Sequence, residues 1–126
     1  MGRLREIVFD CEKPSALARF WAEVLDGYRT RPYDDTEIAR LAALGFTPET
    51  DPTVMVDGPG PSLCFQHVQQ RRYDHNRIHV DIAVSDRRRE IDRHRALGAS
   101  VWREAERYTV MRDLEGNQYC LVEVEA

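Results

Sequence analysis

Arg77-Ile78-His79-Val80-Asp81-Ile82-Ala83-Val84-Ser85-Asp86 is the stretch from which the fold is read. Ile78, Val80, Ile82 and Val84 alternate with His79, Asp81 and Ala83. That is the period of a strand with one apolar face and one more polar face. Ser85-Asp86 then offers a helix N-cap, and a segment rich in arginine and glutamate runs to Leu97, where Gly98 is a fitting stop. Val101-Trp102, Tyr108 to Arg112, and Gln118 to Val124 read as strands. Asp113-Leu114-Glu115-Gly116-Asn117 is the tight connection between the last two, with Gly and Asn suited to positive φ.

The same plan occurs once before. Residues 4–11 read as a strand, with Ile7, Phe9 and Cys11 on one face and Glu6, Val8 and Asp10 on the other. Lys13-Pro14-Ser15 opens a helix in which Leu17, Phe20, Trp21, Val24 and Leu25 recur at amphipathic spacing, and Gly27 ends it. Tyr28 to Tyr33 is strand-like. A short helix follows over about 35–44, with Ile38, Leu41 and Leu44 on one side and Gly45 after it. Residues 46–52 read as loop. Thr53 to Val56 and Ser62 to Val68 form a hairpin about Gly58-Pro59-Gly60-Pro61. Gln69 to Asn76 is polar and aperiodic and reads as the linker between a first module of about 1–68 and a second of about 77–126. Strand, helix and further strands, twice over, make an internal repeat. Each helix covers one face of its small sheet, and the twin module is the natural cover for the other.

Composition narrows the possibilities. The 126 residues are 42% hydrophobic, enough for a core despite 32% charged residues. Apolar runs such as Ile7-Val8-Phe9 are far too short to span a bilayer. Arg3, Arg5 and Glu6 interrupt any apolar leader, so a cytoplasmic location is expected. Cys11, Cys64 and Cys120 are odd in number and widely spaced, as free thiols in a reducing compartment are. The net charge of −4 opposes a phosphate backbone, so nucleic acid is not an expected partner. Arg87-Arg88-Arg89, followed by Glu90 and Asp92, reads as a solvated helix face. No GxSxG elbow or GxxxxGK[ST] loop is present, and prolines at 59 and 61 remove the free amides that a phosphate cradle needs.

Several of these segments resemble one superfamily. Ile7-Val8-Phe9-Asp10 with Phe20-Trp21 and Val24-Leu25 is similar to the opening of glyoxalase-like domains, within the vicinal oxygen chelate superfamily. The stretch from Asn76 to Asp86, with Ala96-Leu97-Gly98-Ala99, resembles the opening of their second module. Val110 to Leu121 resembles their final hairpin, with Leu114 where the turn usually carries proline. The resemblance implies an α+β fold of two βαβββ modules forming an eight-stranded cup about one small-molecule cleft, the glyoxalase/bleomycin resistance/dioxygenase fold. It also implies a homodimer. Metal-dependent members hold one divalent ion (zinc, nickel, iron or manganese) as a Lewis acid for lyase, isomerase or dioxygenase chemistry. Other members have no metal and bind a drug or metabolite.

By that resemblance His79 matches the second-module ligand, Glu6 the first-module ligand and Cys120, four residues after Gly116, the final one, where a glutamate is usual. Imidazole and thiolate suit several first-row metals, yet a neutral thiol is equally a small buried hydrophobe. The fourth position falls on Cys64 by spacing from Gly60 or on Gln66 by polarity. Asp10 and Asp81 share faces with Glu6 and His79, where they could attract a cationic or amine-bearing ligand or act as a base, although such a residue more often lies near a strand end and bonds to a loop. Trp102 and Tyr108 could wall the cleft, although burial alone would explain them; Phe20 and Trp21 read as core.

Overall fold

The alternation at residues 6–11 becomes strand β1 (Glu6–Cys11) in the computed structural model, which describes residues 1–69 and 78–124. The ring of Phe9 lies 5.3 Å from that of Trp21 and 4.9 Å from that of Phe65, and Cys11 is fully buried on the same face. On the other face Val8 is 50% exposed and Asp10 is exposed. The covering element is helix α1 (Pro14–Val24), with proline in its first turn, where a missing N–H costs nothing. Leu17, Phe20, Trp21 and Val24 are its large buried residues, beside Pro14 and Ala18, each such large side chain contributing about 1.5–3 kcal/mol. Gly27, at φ +76°, turns the chain away from the helix.

Strand β2 (Arg29–Thr30), helix α2 (Asp35–Ala43), β3 (Thr53–Asp57) and β4 (Ser62–His67) complete the first unit, whose sheet order is β1-β4-β3-β2. β4 runs parallel to β1 and antiparallel to β3. The Tyr28 hydroxyl donates to the Pro61 carbonyl at 3.0 Å and clasps the turn between β3 and β4. Asp34 caps α2 by accepting from the Glu37 N–H at 2.8 Å. Of the three apolar residues expected on its inner side only Leu41 is buried, and Ile38 and Leu44 stay exposed. This helix of nine residues is thus anchored by one buried side chain.

The second unit repeats the order: β5 (Val80–Val84), α3 (Arg87–Ala96), β6 (Ser100–Glu104), β7 (Tyr108–Arg112) and β8 (Gln118–Glu123), arranged β5-β8-β7-β6. β5 starts later than the alternation suggests, leaving His79 just ahead of the strand. Asp86 caps α3 by accepting from the Arg89 N–H at 3.1 Å. Arg87 does not belong to a solvated face: its guanidinium donates to the carbonyls of Ala105 (3.0 Å) and Glu106 (2.6 Å) and so ties α3 to the loop after β6. α3 buries only Ile91 and His94. Between β7 and β8 the Asp113 carboxylate accepts from the Glu115 N–H (2.9 Å), the Asn117 N–H (2.9 Å) and the Asn117 side-chain amide (2.8 Å), with Gly116 at φ +82°. Leu114, in the proline's place, leans on Gly98, where a Cβ would stand 2.5 Å from Leu114 Cδ2.

The units span Met1–Arg71 and Arg72–Ala126. Most of the expected linker, residues 70–76, lies outside the described residues. The two sheets share one register as well as one topology. Cys64 stands opposite Val8 and Met55, and Cys120 stands opposite Asp81 and Val110.

Candidate functional site

In each unit the helix takes one face of the sheet and leaves the polar face of the first strand on the other. In the first unit that face carries Glu6 and Asp10 from β1 and Cys64 and Gln66 from β4, with Asp10 opposite Gln66. The repeated register makes Cys64, rather than Gln66, the counterpart of Cys120. Cys64 is buried although it lies on the uncovered face, whereas Gln66 is exposed. Burial pushes the Cys64 thiol up, and the nearby Glu6 carboxylate pushes it further by disfavouring a second negative charge. At the end of β3, Asp57 receives a two-pronged hydrogen bond from Arg31 (2.8 and 2.9 Å) and a hydroxyl from Ser62 (2.7 Å). The guanidinium holds the Asp57 carboxyl below the usual range.

The second unit gathers more chemistry. A hollow of about 430 Å³ lies on its uncovered sheet face, lined by His79, Asp81, Cys120, Trp102, Tyr108 and Arg103 among others. His79, Asp81 and Cys120 place one potential ligand atom each within 4.8 Å of one another, and His79 Nε2 is 3.5 Å from Asp81 Oδ1. Cys120 is 8% exposed, and burial pushes its thiol up. Asp81 adds to that push and the Arg103 guanidinium opposes it. The unliganded cysteine is therefore a neutral thiol at pH 7.

The aromatic wall has a local cause. Register slips between Val101 and Arg103, so that Ser100 faces Arg112 but Arg103 faces Val110, with Trp102 as the extra residue of a bulge. The slip returns Arg103 to the uncovered face, which plain alternation would have denied it. Trp102 is 48% exposed and Tyr108 36%, so burial does not account for either; Phe20 and Trp21, by contrast, are core. The Arg112 guanidinium lies 5.2 Å from the Trp102 ring centroid and that of Arg103 6.0 Å from the Tyr108 centroid, both distances suited to cation–π attraction. Val110 and Val122 supply the apolar floor.

The structure thus brings together His79, Asp81, Cys120, Trp102 and Tyr108 in one unit, and Glu6, Asp10 and Gln66 with Cys64 on one sheet face of the other. Sequence reading missed Arg103 and Arg112. Val110 and Val122 were within its reach, because they share a face with Cys120 by simple alternation along β7 and β8.

The donor set fits a divalent ion. Bond lengths near 2.0–2.3 Å put tetrahedral donors roughly 3.3–3.8 Å apart, and the three donor atoms lie within 4.8 Å of one another. Nitrogen, oxygen and sulfur together favour zinc or iron(II) over magnesium or calcium.

Comparison with known proteins agrees with this architecture. The profile of the glyoxalase-like domain matches residues 6–122. A glyoxalase/bleomycin resistance/dioxygenase family enzyme from Burkholderia phytofirmans superposes with a TM-score of 0.68 at 12% identity, over 98% of this chain and 99% of its own. The trypanothione-dependent glyoxalase I of Leishmania major gives 0.61 at 18% identity, over 98% and 87%. TioX from Micromonospora sp. ML1 gives 0.61 at 16% identity, over 97% and 98%. At these identities the likeness is one of fold. No curated protein sequence matches.

Proposed function

The chain belongs to the glyoxalase-like domain family, and from that premise we propose that it binds a small molecule in the hollow of its second unit. The observation that carries this reading is the convergence of His79, Asp81 and Cys120 beneath two exposed aromatic rings. A stable globular unit has no structural need for half-exposed Trp102 and Tyr108 beside a polar cluster, whereas a ligand site does. In this reading the aromatics and valines take the ligand's apolar part and the polar cluster fixes its orientation. Cysteine at 120, a neutral thiol when unliganded, supports binding without obligatory catalysis.

A metal-assisted enzyme is the second reading, favoured by the 4.8 Å cluster alone. His79, Asp81 and Cys120 would hold the ion, which would supply Lewis acidity toward a substrate oxygen. Cys120 must lose its proton to serve, so uptake would strengthen with rising pH. Glu6 remains a candidate ligand in this reading. The wider proposal is of a cytoplasmic homodimer with neither nucleic-acid nor membrane partners. The acidic net charge bears on the nucleic-acid part alone, since it opposes a phosphate backbone; among the described residues no helix is long and apolar enough to cross a membrane.

The test is a ligand-observed NMR screen of small fragments with wild type, Trp102→Ala/Tyr108→Ala and His79→Ala, alongside calorimetric titration with zinc. Fragments that bind wild type and are lost in the double variant support the site. Equal binding by the double variant rejects it. Zinc bound one to one by wild type, and weakened at least about tenfold by His79→Ala and by Cys120→Ser, selects the enzyme reading. Glu6→Gln in the same titration tests whether that residue takes part.

A further inference from the structure

The sequence alone suggests that Asp10 and Asp81 would draw a cationic ligand. The lining of the second unit's hollow is not simply acidic, because it holds Arg103 as well as Asp81. Asp81 is the one carboxylate lining it, and its near neighbour is His79, with Nε2 at 3.5 Å. Against it stand two guanidiniums on the same sheet face. Arg103 lines the hollow, and Arg112, opposite Gln118 and Ser100, lies against the ring of Trp102. Among the described residues neither arginine has a carboxylate within ion-pair distance. Some other surface arginines do find one, Arg19 with Glu49, Arg31 with Asp57, Arg40 with Glu37 and Arg88 with Glu104.

The two arginines are also held in a particular way. Each lies near the face of an aromatic ring, at 5.2 Å for Arg112 on Trp102 and 6.0 Å for Arg103 on Tyr108, and an Arg103 N–H reaches the Tyr108 hydroxyl at 3.5 Å. A guanidinium over a ring spends no N–H on the π-face, so Arg112 keeps its donors clear of Trp102 and Arg103 commits one, at long range, to the Tyr108 hydroxyl. The rest of each donor edge stays free for the in-plane, two-pronged bond that a carboxylate makes. The rings beside it offer flat apolar surface, and Val110 and Val122 continue that surface across the sheet.

We infer that the ligand of this hollow is a planar anion: an aromatic or conjugated carboxylate, or an enolate of similar shape, with its charge on Arg103 and Arg112 and its π-face against Trp102 and Tyr108. This rests on the hollow being the ligand site, as proposed above, and adds the chemical class. Asp81 then acts as a discriminator, since it repels an anion that enters too deeply toward Cys120 and orders the charged end of the ligand toward the arginines.

Three probes of one shape separate the possibilities: 2-naphthoate (anion), 2-naphthamide (neutral) and 2-naphthylmethylamine (cation), each titrated by ligand-observed NMR into wild type, Arg103→Gln, Arg112→Gln and Asp81→Asn. Circular dichroism checks folding, which substitution of exposed Arg103 and half-buried Arg112 on a sheet surface should not disturb. Naphthoate should bind at least about tenfold tighter than the other two, and lose about three- to tenfold in each arginine variant, while naphthamide stays within about twofold. Asp81→Asn should tighten naphthoate, and added salt should weaken naphthoate but not naphthamide. Amine or amide binding as tight as naphthoate, sensitive to Trp102→Ala, would overturn the anionic class and leave the ligand site standing. Absence of binding by all three probes would overturn the site and the class together.

Discussion

His94 gives the sharpest quantitative expectation. Its side chain is fully buried on α3, with Nδ1 2.8 Å from the Tyr119 hydroxyl and Nε2 3.4 Å from a Glu90 carboxylate oxygen. The arrangement suits a neutral ring with its proton on Nε2 toward Glu90 and Nδ1 accepting from Tyr119, whose own phenol burial pushes above its usual range. Burial holds the His94 pKa below its ordinary 6.5, Arg93 pushes the same way and Glu90 opposes. A folded pKa below the unfolded one means that the unfolded chain takes up the proton first. The stabilisation is therefore fully present above pH 6.5 and is lost as pH falls from there toward the folded pKa. A ring that stayed neutral throughout would give up at most about 1.4 kcal/mol between pH 7.5 and pH 5.5. That corresponds to roughly 0.5–1 M in the urea midpoint for a domain of this size. Carboxylates elsewhere also titrate, so the quantity to measure is the difference between wild type and His94→Gln in urea unfolding at the two pH values. Wild type should lose more stability than the variant on acidification. Parallel losses would refute the reasoning, because they would mean that His94 carries no proton-linked energy.

Other expectations concern the elements that shape the second unit. Asp113→Ala removes three hydrogen bonds from a buried turn and should cost about 3 kcal/mol in urea or thermal unfolding, whereas Asp113→Asn, which keeps an acceptor oxygen, should cost less. Gly98 sits at φ +108°, so Gly98→Ala should destabilise by about 1–2 kcal/mol, and truncating Leu114 in the same chain should relieve only the part due to contact.

How far the sequence could be read follows from where side chains obey simple periods. The faces of β1 were legible because Ile7, Phe9 and Cys11 alternate cleanly with Glu6, Val8 and Asp10, and a sheet with one covered face enforces that register. The choice between Cys64 and Gln66 was not legible, since both lie on one face of β4; only the pairing of Cys64 with Val8, matched by Cys120 with Asp81, separates them. Arg103 was hidden by the bulge at Trp102, which has no glycine or other local mark in the sequence. Arg87 was misread because the carbonyls it holds, those of Ala105 and Glu106, are distant in sequence and carry no side-chain signal. His79, Asp81 and Cys120 were each visible as candidates, yet their approach to within 4.8 Å depends on the parallel pairing of β5 with β8, which no local pattern encodes.

The leucine that leans on Gly98 has a consequence for how this chain could change over generations. A proline would preset the backbone of that hairpin by its own ring, independently of its surroundings. Leu114 instead borrows its anchorage from a position sixteen residues upstream, in the turn between α3 and β6. Residues 98 and 114 should therefore vary as a pair among related chains: a side chain gained at 98 calls for a smaller neighbour at 114, and a return to proline at 114 frees 98 from the constraint of contact.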